Sequence, residues 1–274
     1  MNCPLCHDQR FTIIAGHENA VAAMCPKCEC HVCENELYVF QRDAHGQMLS
    51  RPCYECGPIR ERVRFYQRAG VPRRYVDATF ESFKPTSQAQ VQAVQWFTSR
   101  LGEWSPSERA LIISGSVGTG KTHLMAAWIR SLCTLRQIEC RFIEFSHLLS
   151  DLRAGYDAGQ SDARIIAHLV DVPVLVIDEL GKTLKTDWQL GILDALISRR
   201  YERGVATFAT TNYPFELGHG GKSTRSSDDF ARRTLGEVTG DRIASRLAEM
   251  CDFMTVEAND YRRTLRGPGM GARV

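Results

Sequence analysis

Residues 115–122 have the spacing of a phosphate-binding loop. The run Gly-Ser-Val-Gly-Thr-Gly-Lys-Thr matches the pattern GxxxxGK[ST] at each fixed position. The glycines allow a tight turn that points successive N–H groups at an anion, and the positive end of a following helix adds to the attraction. Lys121 would reach the β- and γ-phosphates of a nucleotide, and the Thr122 hydroxyl would ligate Mg²⁺. The predicted nucleotide-contacting residues are Gly115, Ser116, Val117, Gly118, Thr119, Gly120, Lys121, Thr122 and His123.

Two acidic residues follow an apolar run downstream of this loop. The apolar residues 174–177 predict a buried parallel strand, and Asp178 and Glu179 would emerge at its carboxyl end, where open α/β sheets bind ligands. We expect Asp178 to hold the magnesium ion, directly or through water, and Glu179 to polarise an attacking water. A strand that merely ends in two solvated acids is the alternative, and the phosphate loop upstream makes it the weaker one.

Three further polar residues have two interpretations each. Asn212 ends an apolar segment, residues 205–211, and could orient a water against the γ-phosphate, but Pro214 nearby also fits a simple turn. Arg242 and Arg246 are four residues apart, so they share one helix face. They are either a solvated pair or a source of positive charge for the γ-phosphate of a neighbouring subunit.

Eight of the eleven cysteines lie in the first 56 residues. They form four CxxC pairs, a type of knuckle that points two thiolates at one metal ion. Taken in order, the pairs give C-x2-C-x18-C-x2-C and then C-x2-C-x19-C-x2-C, the spacing of zinc ribbons. The sequence therefore predicts two structural zinc ions per chain. The predicted zinc ligands are Cys3, Cys6, Cys25, Cys28, Cys30, Cys33, Cys53 and Cys56.

The pairing of the knuckles is open at this point. Sequential pairing is favoured, because both units then have the expected ribbon spacing. Interleaved pairing, with the first knuckle joined to the third, is also possible because one residue separates Cys28 from Cys30. Disulfides are the remaining alternative. They are disfavoured because the chain opens directly with Met1-Asn2-Cys3, without a signal peptide, and cytosolic thiols stay reduced.

The surrounding pattern indicates an α/β protein with a parallel sheet in three layers. Ser146 is predicted to cap a helix at residues 147–152. Strands are predicted at 10–14, 36–40, 110–113, 140–145, 174–177, 205–211 and 254–256, and helices at 124–129 and 190–197. The expected organisation is a tandem zinc-ribbon domain at 1–58, a basic linker at 59–84, a phosphate-loop domain at 85–265 and a flexible tail at 266–274.

Charge is distributed unevenly, although the formal net charge is +2. Residues 1–56 hold four basic and seven acidic side chains, and each four-thiolate zinc centre would add about −2. This module is a poor phosphate binder and a better protein-docking module. Residues 60–74 hold six arginines and one glutamate, so they could contact nucleic acid or an acidic partner, or form a solvated helix face that packs Val63 and Phe65. No run approaches the roughly 18 apolar residues of a membrane span, so we expect a cytoplasmic protein without a membrane partner.

The motifs together resemble a known family. The series GSVGTGKTH, VLVIDEL, ATTNYPFEL and GDRIASRLAEM is similar to the AAA+ ATPases of the DnaC/DnaI helicase-loader group, and related insertion-sequence transposition helpers share most of it. Residues 69–75 and 79–83 also resemble the linker of those loaders. The resemblance covers about residues 68–265. It implies that Asn212 is the sensor, that Arg246 is the trans-acting arginine finger with Arg242 beside it, and that no helical lid follows. A polar insertion at 218–228 departs from the pattern.

Three functions are compatible with these features. In an ATP-driven loader, the zinc module and linker would grip a replicative hexameric DNA helicase, while the core would bind ATP, form a nucleotide-dependent homo-oligomer and contact single-stranded DNA. A transposition helper would serve a transposase on duplex DNA, and the ribbons count against it. An adaptor that uses ATP only as a structural ligand would need neither Glu179 nor Arg246.

Overall fold

The computed structural model of the protein describes residues 3–157, 159, 161–215 and 233–261. The strands are β1 (Phe11–Ala15), β2 (Ala20–Met24), β3 (Tyr38–Arg42), β4 (Met48–Pro52), β5 (Ala110–Ser114), β6 (Cys140–Glu144), β7 (Val174–Asp178), β8 (Ala206–Thr211) and β9 (Cys251–Thr255). The helices are α1 (Gly57–Ala69), α2 (Gln88–Arg100), α3 (Lys121–Leu135), α4 (Phe145–Asp157), α5 (Asp162–Asp171), α6 (Asp187–Arg203), α7 (Leu235–Thr239) and α8 (Asp241–Met250). None of the helices in these ranges is long and apolar enough to cross a membrane. The predicted insertion at 218–228 and tail at 266–274 lie outside the described residues.

Five parallel strands form the central sheet in the order β6-β7-β8-β5-β9. Strands β5, β7 and β8 are buried along their whole length, as parallel strands covered on both faces must be. The register aligns Ser114 with Thr211 and with Thr255, so the carboxyl ends of three neighbouring strands meet at one edge. This arrangement confirms the predicted α/β fold with a parallel sheet and flanking helices.

An aromatic cluster fixes helix α3 against the sheet. Trp128 on α3 lies with its ring centroid 5.2 Å from that of Phe97 on α2, 5.5 Å from Trp104 and 6.0 Å from Phe208 on β8. All four side chains are buried. Because such rings bury large apolar areas and prefer tilted contacts, they hold α3 at a defined position against β8.

The segment predicted as a basic linker contains helix α1 and a short 3-10 turn at Arg73–Tyr75. Helix α1 packs against α3 and β6 on one side and against β2 on another. It buries Val63, Tyr66 and Ala69, while Arg64 is exposed. The packing of Val63, which belonged to one of the two alternatives, is therefore found, while contact of the arginines with nucleic acid or an acidic partner stays a prediction.

The two N-terminal hairpins differ in their surroundings. Phe11, Ala20 and Ala22 of hairpin β1–β2 belong to the same buried cluster as the central sheet. Strands β3 and β4 are exposed almost throughout, and the apolar residues around the cysteines at 30–56 form a separate small cluster. The first hairpin is thus part of the main core, whereas the second is not.

Several local predictions were wrong in detail. Helix α4 begins at Phe145 directly after β6, so Ser146 is not its N-cap but lies in the first turn, where its hydroxyl donates to Glu144 Oε1 at 2.6 Å. Strand β9 runs from Cys251 to Thr255, so Val256, predicted as part of the end of the last strand, lies just after it. The sequence also gave no indication of β2 or β4.

Candidate functional site

The phosphate loop connects β5 to α3, as its motif predicts. Helix α3 begins at Lys121, directly after Gly120 in the left-handed region at φ +87°. The Lys121 ammonium donates to the carbonyl oxygens of Gly115 and Ser116 at 2.8 Å each and to Asn212 Oδ1 at 3.0 Å. The structure therefore brings Lys121 and the end of β8 together at the carboxyl edge of the sheet.

Two glycines in this loop are required by close contacts. A Cβ on Gly115 would lie 2.1 Å from Val256 O, and one on Gly118 would lie 1.8 Å from Asp260 Oδ1. Both glycines have positive φ, at +147° and +81°. The Tyr261 N–H also donates to Gly118 O at 3.1 Å. The segment after β9 thus packs directly on the loop and supports its shape.

Thr122 and Asp178 form a compact group of oxygens beside the loop. The Thr122 hydroxyl donates to Asp178 Oδ1 at 2.9 Å, and the Thr210 hydroxyl donates to the same oxygen at 2.5 Å. Burial raises the pKa of Asp178, while these two hydroxyl donors oppose the rise by stabilising the carboxylate. Hydroxyl and carboxylate oxygens are the ligands that Mg²⁺ takes in such sites, so the chemistry of these side chains fits that ion.

Glu179 has an unusual backbone conformation. Its φ is +55°, a region that is strained for a side chain other than glycine, and its N–H donates to Thr210 Oγ1 at 3.0 Å. The Glu179 carboxylate forms an ion pair with Lys182. Glu179 and Asn212 both line the cavity that the phosphate loop borders. Glu179 therefore combines this backbone conformation with a place in the lining of the cavity.

This cavity has a volume of about 340 Å³, within the range of small-molecule sites. The phosphate loop and the residues at the ends of β7 and β8 line one part, and residues from the predicted linker, the start of α2 and the segment after β9 line the remainder. Sequence reasoning missed these residues as contacts, although the basic and aromatic runs around them were visible. They are Arg74, Tyr75, Ser82, Phe83, Lys84, Thr86, Gln90, Asn259 and Tyr261.

Gln90 and His123 form hydrogen bonds that connect different parts of the cavity lining and its surroundings. The buried Gln90 side chain accepts from Thr86 N at 2.6 Å and donates to Thr119 O at 3.0 Å, so it joins the start of α2 to the phosphate loop. His123 Nε2 lies 3.0 Å from Thr79 O. Burial lowers the pKa of His123, which favours the neutral ring at pH 7. His123 therefore borders the cavity and also contacts the segment that follows Arg74 and Tyr75.

The two arginines of α8 lie away from this cavity. Arg246 Nη1 donates to Asp194 Oδ1 on α6 at 2.9 Å, and its guanidinium is 6.0 Å from the ring centroid of Tyr201. Arg242 Nε lies 3.7 Å from the same Asp194 oxygen and is largely exposed. They share one helix face, as their spacing indicates, but neither lines the cavity of its own chain.

The eight N-terminal cysteines form two groups of four. The first group joins Cys3, Cys6, Cys25 and Cys28, the second joins Cys30, Cys33, Cys53 and Cys56, and within each group the sulfurs lie within 4.8 Å of one another. The sequential pairing is therefore the one found. We call residues 3–28 the first ribbon and residues 30–56 the second ribbon.

The sulfur geometry fits a tetrahedral metal ion. The Cys6–Cys28 sulfurs lie 3.4 Å apart and the Cys30–Cys53 sulfurs 3.6 Å apart. Zn–S bonds of about 2.3 Å in a tetrahedron give S–S edges of about 3.8 Å. Backbone N–H donors lower the pKa of Cys3 to about 6, whereas the hydrogen bond with Cys6 and burial raise the pKa of Cys28 in the same group. All eight thiols are free of disulfides.

The sheet order, the phosphate loop after β5 and the acidic pair after β7 define a P-loop ATP-binding protein of the AAA+ type. The chain belongs to the family described as IstB-like ATP binding protein, whose model matches residues 59–266.

Curated relatives are similar over most of the chain. The replicative helicase loader DnaC of Escherichia coli (strain K12) is 27% identical over 182 residues, which cover 66% of this chain and 74% of the relative. The replicative helicase loader DnaC of Buchnera aphidicola subsp. Schizaphis graminum is 25% identical over 224 residues, covering 81% and 84%.

Solved structures are also similar to this chain. The crystal structure of the DnaC helicase loader matches with a TM-score of 0.57 and 28% identity over 67% of this chain and 98% of that chain. The crystal structure of DnaI, with a TM-score of 0.52, 20% identity and coverage of 69% and 93%, shows the same fold.

Proposed function

We propose that this protein is an ATP-dependent loader of a replicative DNA helicase. The observation that carries the proposal is the similarity to replicative helicase loader DnaC across the core, in sequence and in a solved structure at 28% identity. ATP bound and hydrolysed at subunit interfaces would drive assembly on the hexameric helicase and on single-stranded DNA. Each step has candidate residues in this chain.

ATP would occupy the cavity with its phosphates in the loop. Lys121, now 3.0 Å from Asn212 Oδ1, would move to the β- and γ-phosphates, and Thr122 with Asp178 would hold Mg²⁺. The base and ribose would lie toward Arg74 and Tyr75, at the wall opposite the phosphate loop. Bound Mg²⁺ would neutralise charge that develops on the phosphates.

Glu179 would orient and deprotonate the attacking water. Asn212, at the end of the neighbouring strand, would position that water against the γ-phosphate. In the present arrangement the Glu179 carboxylate is paired with Lys182. Hydrolysis would therefore require this ion pair to open, because a carboxylate bound to an ammonium is a weaker base.

Arg246 would act on the ATP of a neighbouring subunit. It is 20% exposed and is held by Asp194, so its side chain has a defined position at the surface. A fixed arginine beside the γ-phosphate of the next subunit would stabilise transition-state charge, and Arg242 would add to the positive field. Turnover would then depend on assembly.

The two cysteine clusters would hold one zinc ion each. The exposed side chains of the second ribbon, Tyr38, Phe40 and Tyr54, would contact the helicase. Aromatic side chains are enriched in the energetically dominant part of protein interfaces. The acidic balance of residues 1–56 also disfavours a role for this module in phosphate binding.

A mixing experiment tests the proposed mechanism. Glu179→Gln and Arg246→Ala should each bind ATP with wild-type affinity and hydrolyse it slowly, whereas Lys121→Ala should lose binding. A mixture of the first two variants should recover activity, since one type of interface then pairs an intact Glu179 with an intact Arg246. Absence of recovery in a mixture with demonstrated subunit exchange would exclude a trans-acting Arg246.

A transposition helper is the second candidate, because the matching family is the IstB-like one. The two functions share the ATP site and differ in the partner. Binding of the purified protein to the replicative helicase of its host, measured beside binding to a transposase encoded near it, separates them. Capture of the transposase alone would reject the loader.

A further inference from the structure

Residues 71–79, which we call the wall segment, contribute two residues to the lining of the nucleotide cavity. Arg74 and Tyr75 of this segment line the cavity, with the Arg74 guanidinium 4.8 Å from the centroid of the Tyr75 ring. Because these side chains belong to a short turn rather than to the sheet, their position depends on what holds the turn in place.

Helix α3 holds the wall segment from one side. Arg130 Nη1 donates to Val76 O at 2.9 Å, and His123 Nε2 lies 3.0 Å from Thr79 O. Both side chains come from the helix that begins with the phosphate loop. This side of the segment is therefore fixed by the nucleotide-binding core itself.

The first ribbon holds the wall segment from the other side, through main-chain bonds. Ala20 N–H donates to Val71 O at 2.8 Å, and Arg73 N–H donates to Glu18 O at 2.9 Å. Asn19 pairs with Pro72 between these two bonds. The turn of hairpin β1–β2 thus forms a short antiparallel ladder with the residues immediately before Arg74.

The hairpin is itself held firmly. Ala20 and Ala22 are buried against α1, and Gln67 Nε2 on α1 donates to Ala22 O at 2.7 Å. In the part of the chain that the structure describes, the second hairpin, β3–β4, forms no hydrogen bond with the wall segment. The connection to the cavity is thus specific to the first ribbon.

We propose that the first ribbon is a structural part of the nucleotide site: its hairpin positions Arg74 and Tyr75, so nucleotide binding and the folding of this ribbon stabilise one another. This inference rests on the proposed function in requiring a nucleotide in the cavity. Coupling between two sites is reciprocal, so each side can be measured from the other. The ribbon would then report the nucleotide state to any partner that it contacts.

Amide hydrogen exchange of the intact chain, with and without saturating ADP and Mg²⁺, tests the coupling without a mutation. ADP should slow exchange at the Ala20 and Arg73 amides at least about fivefold, the lower end of typical coupling. Amides of the β3–β4 hairpin should be unchanged. Protection of residues 115–122 reports occupancy of the phosphate loop separately.

Two outcomes overturn the proposal in different ways. Protection of residues 115–122 without protection of Ala20 and Arg73 would show that nucleotide binds without affecting the ribbon. Absence of protection at all of these positions would overturn the nucleotide site itself, and the coupling with it.

A matched pair of proline variants tests the reverse direction. Ala20→Pro removes the N–H donated to Val71, and it leaves the pairing of β1 with β2 in place because Ala20 is the first residue of β2. Ser50→Pro is the control. Ser50 lies two residues before Pro52, so its N–H points to the same side of β4, away from β3, and makes no bond in the hairpin. The ADP dissociation constant should rise at least about fivefold in the first variant and less than about twofold in the second.

A second pair of variants with smaller structural changes tests the same coupling if Ala20→Pro does not fold. Gln67→Ala removes one bond between α1 and the hairpin, whereas Arg64→Ala removes an exposed side chain of the same helix. ADP affinity should fall about twofold in Gln67→Ala and stay at the wild-type value in Arg64→Ala. Equal affinities in all folded variants would overturn the proposal.

Discussion

The first ribbon and the second ribbon carry their cysteines in the same order, yet their hairpins have different neighbours. Hairpin β1–β2 packs into the main core through Phe11, Ala20 and Ala22. Hairpin β3–β4 leaves Tyr38 and Phe40 exposed. The residues between the knuckles therefore decide whether a ribbon becomes part of the core or remains a free surface.

Side-chain size explains the difference. The alanines of β2 allow the backbone of the first hairpin to approach α1 closely, so main-chain bonds to the wall segment can form. The large side chains of β3 and β4 would prevent such an approach. Metal spacing alone thus carries no information on the role of a ribbon.

Removal of residues 1–56 should break this comparison most strongly. From the sequence alone, the apolar strands of the core predict a folded ATPase without them. The structure leads us to expect a less stable core instead, because the truncation removes Phe11, Ala20 and Ala22 from the main buried cluster and exposes α1. We expect a loss of at least about 3 kcal/mol in the free energy of unfolding, measured by urea denaturation. A truncated chain as stable as the full one would show that the first ribbon adds nothing to the core.

Metal-ligand variants sharpen the same contrast. Cys25→Ser and Cys53→Ser occupy equivalent positions in the two clusters and should each remove one zinc ion, measured by metal analysis. Cys25→Ser should also destabilise the core by about 1–3 kcal/mol, since it loosens the hairpin that packs on α1. Equal destabilisation of the core by both variants would contradict the assigned difference.

The exposed aromatic residues of the second ribbon give a partner-specific test. Phe40→Ser should change the free energy of unfolding by less than about 0.5 kcal/mol, because the side chain is 63% exposed. It should weaken binding of the helicase by about 2 kcal/mol, measured by calorimetry. Ile14→Ser, which alters an exposed side chain of the first hairpin, is the control and should bind normally. If helicase binding were weaker in Ile14→Ser and normal in Phe40→Ser, the interface would lie on the first ribbon instead.

The smallest effect should come from the contact between the two ribbons. Arg10 donates to Glu55 Oε1 at 2.8 Å and to Glu29 O at 3.0 Å. Both charged side chains are partly exposed, so Arg10→Ala should reduce stability by about 1 kcal/mol or less in thermal unfolding. Arg42→Ala, which loses one exposed bond within its own hairpin, should change less. A larger loss in Arg10→Ala would mean that the ribbons fold as one unit.

Local motifs made much of the site predictable. The loop, Thr122, Asp178 and Asn212 each follow a strand of a parallel sheet, and the carboxyl ends of such strands meet at one edge. The grouping of the sulfurs into two clusters of four was also predictable from the sequence. Each CxxC knuckle fixes the positions of its own two sulfurs locally. These predictions required no knowledge of distant packing.

The missed features depend on tertiary contacts. Strand β2 is Ala-Val-Ala-Ala-Met, and alanine favours helices, so its strand conformation comes from pairing with β1 and packing on α1. The place of Arg74 in the cavity depends on the ribbon and α3 together. Ser146 has the composition of a cap, but the chain enters α4 directly from β6. The first two of these positions are decided by residues far away in the sequence, and the third by the direct passage from β6 into α4.

The packing of the segment after β9 on the phosphate loop has a consequence for biosynthesis. Val256 and Asp260 lie in close contact with Gly115 and Gly118. Tyr261, the last described residue, donates its N–H to Gly118 O. A nascent chain still lacking these residues has strand β5 and the loop sequence but not the surface that supports them. The loop therefore lacks this support until Tyr261 has been synthesised, although the first ribbon, which contacts the wall segment, is made much earlier.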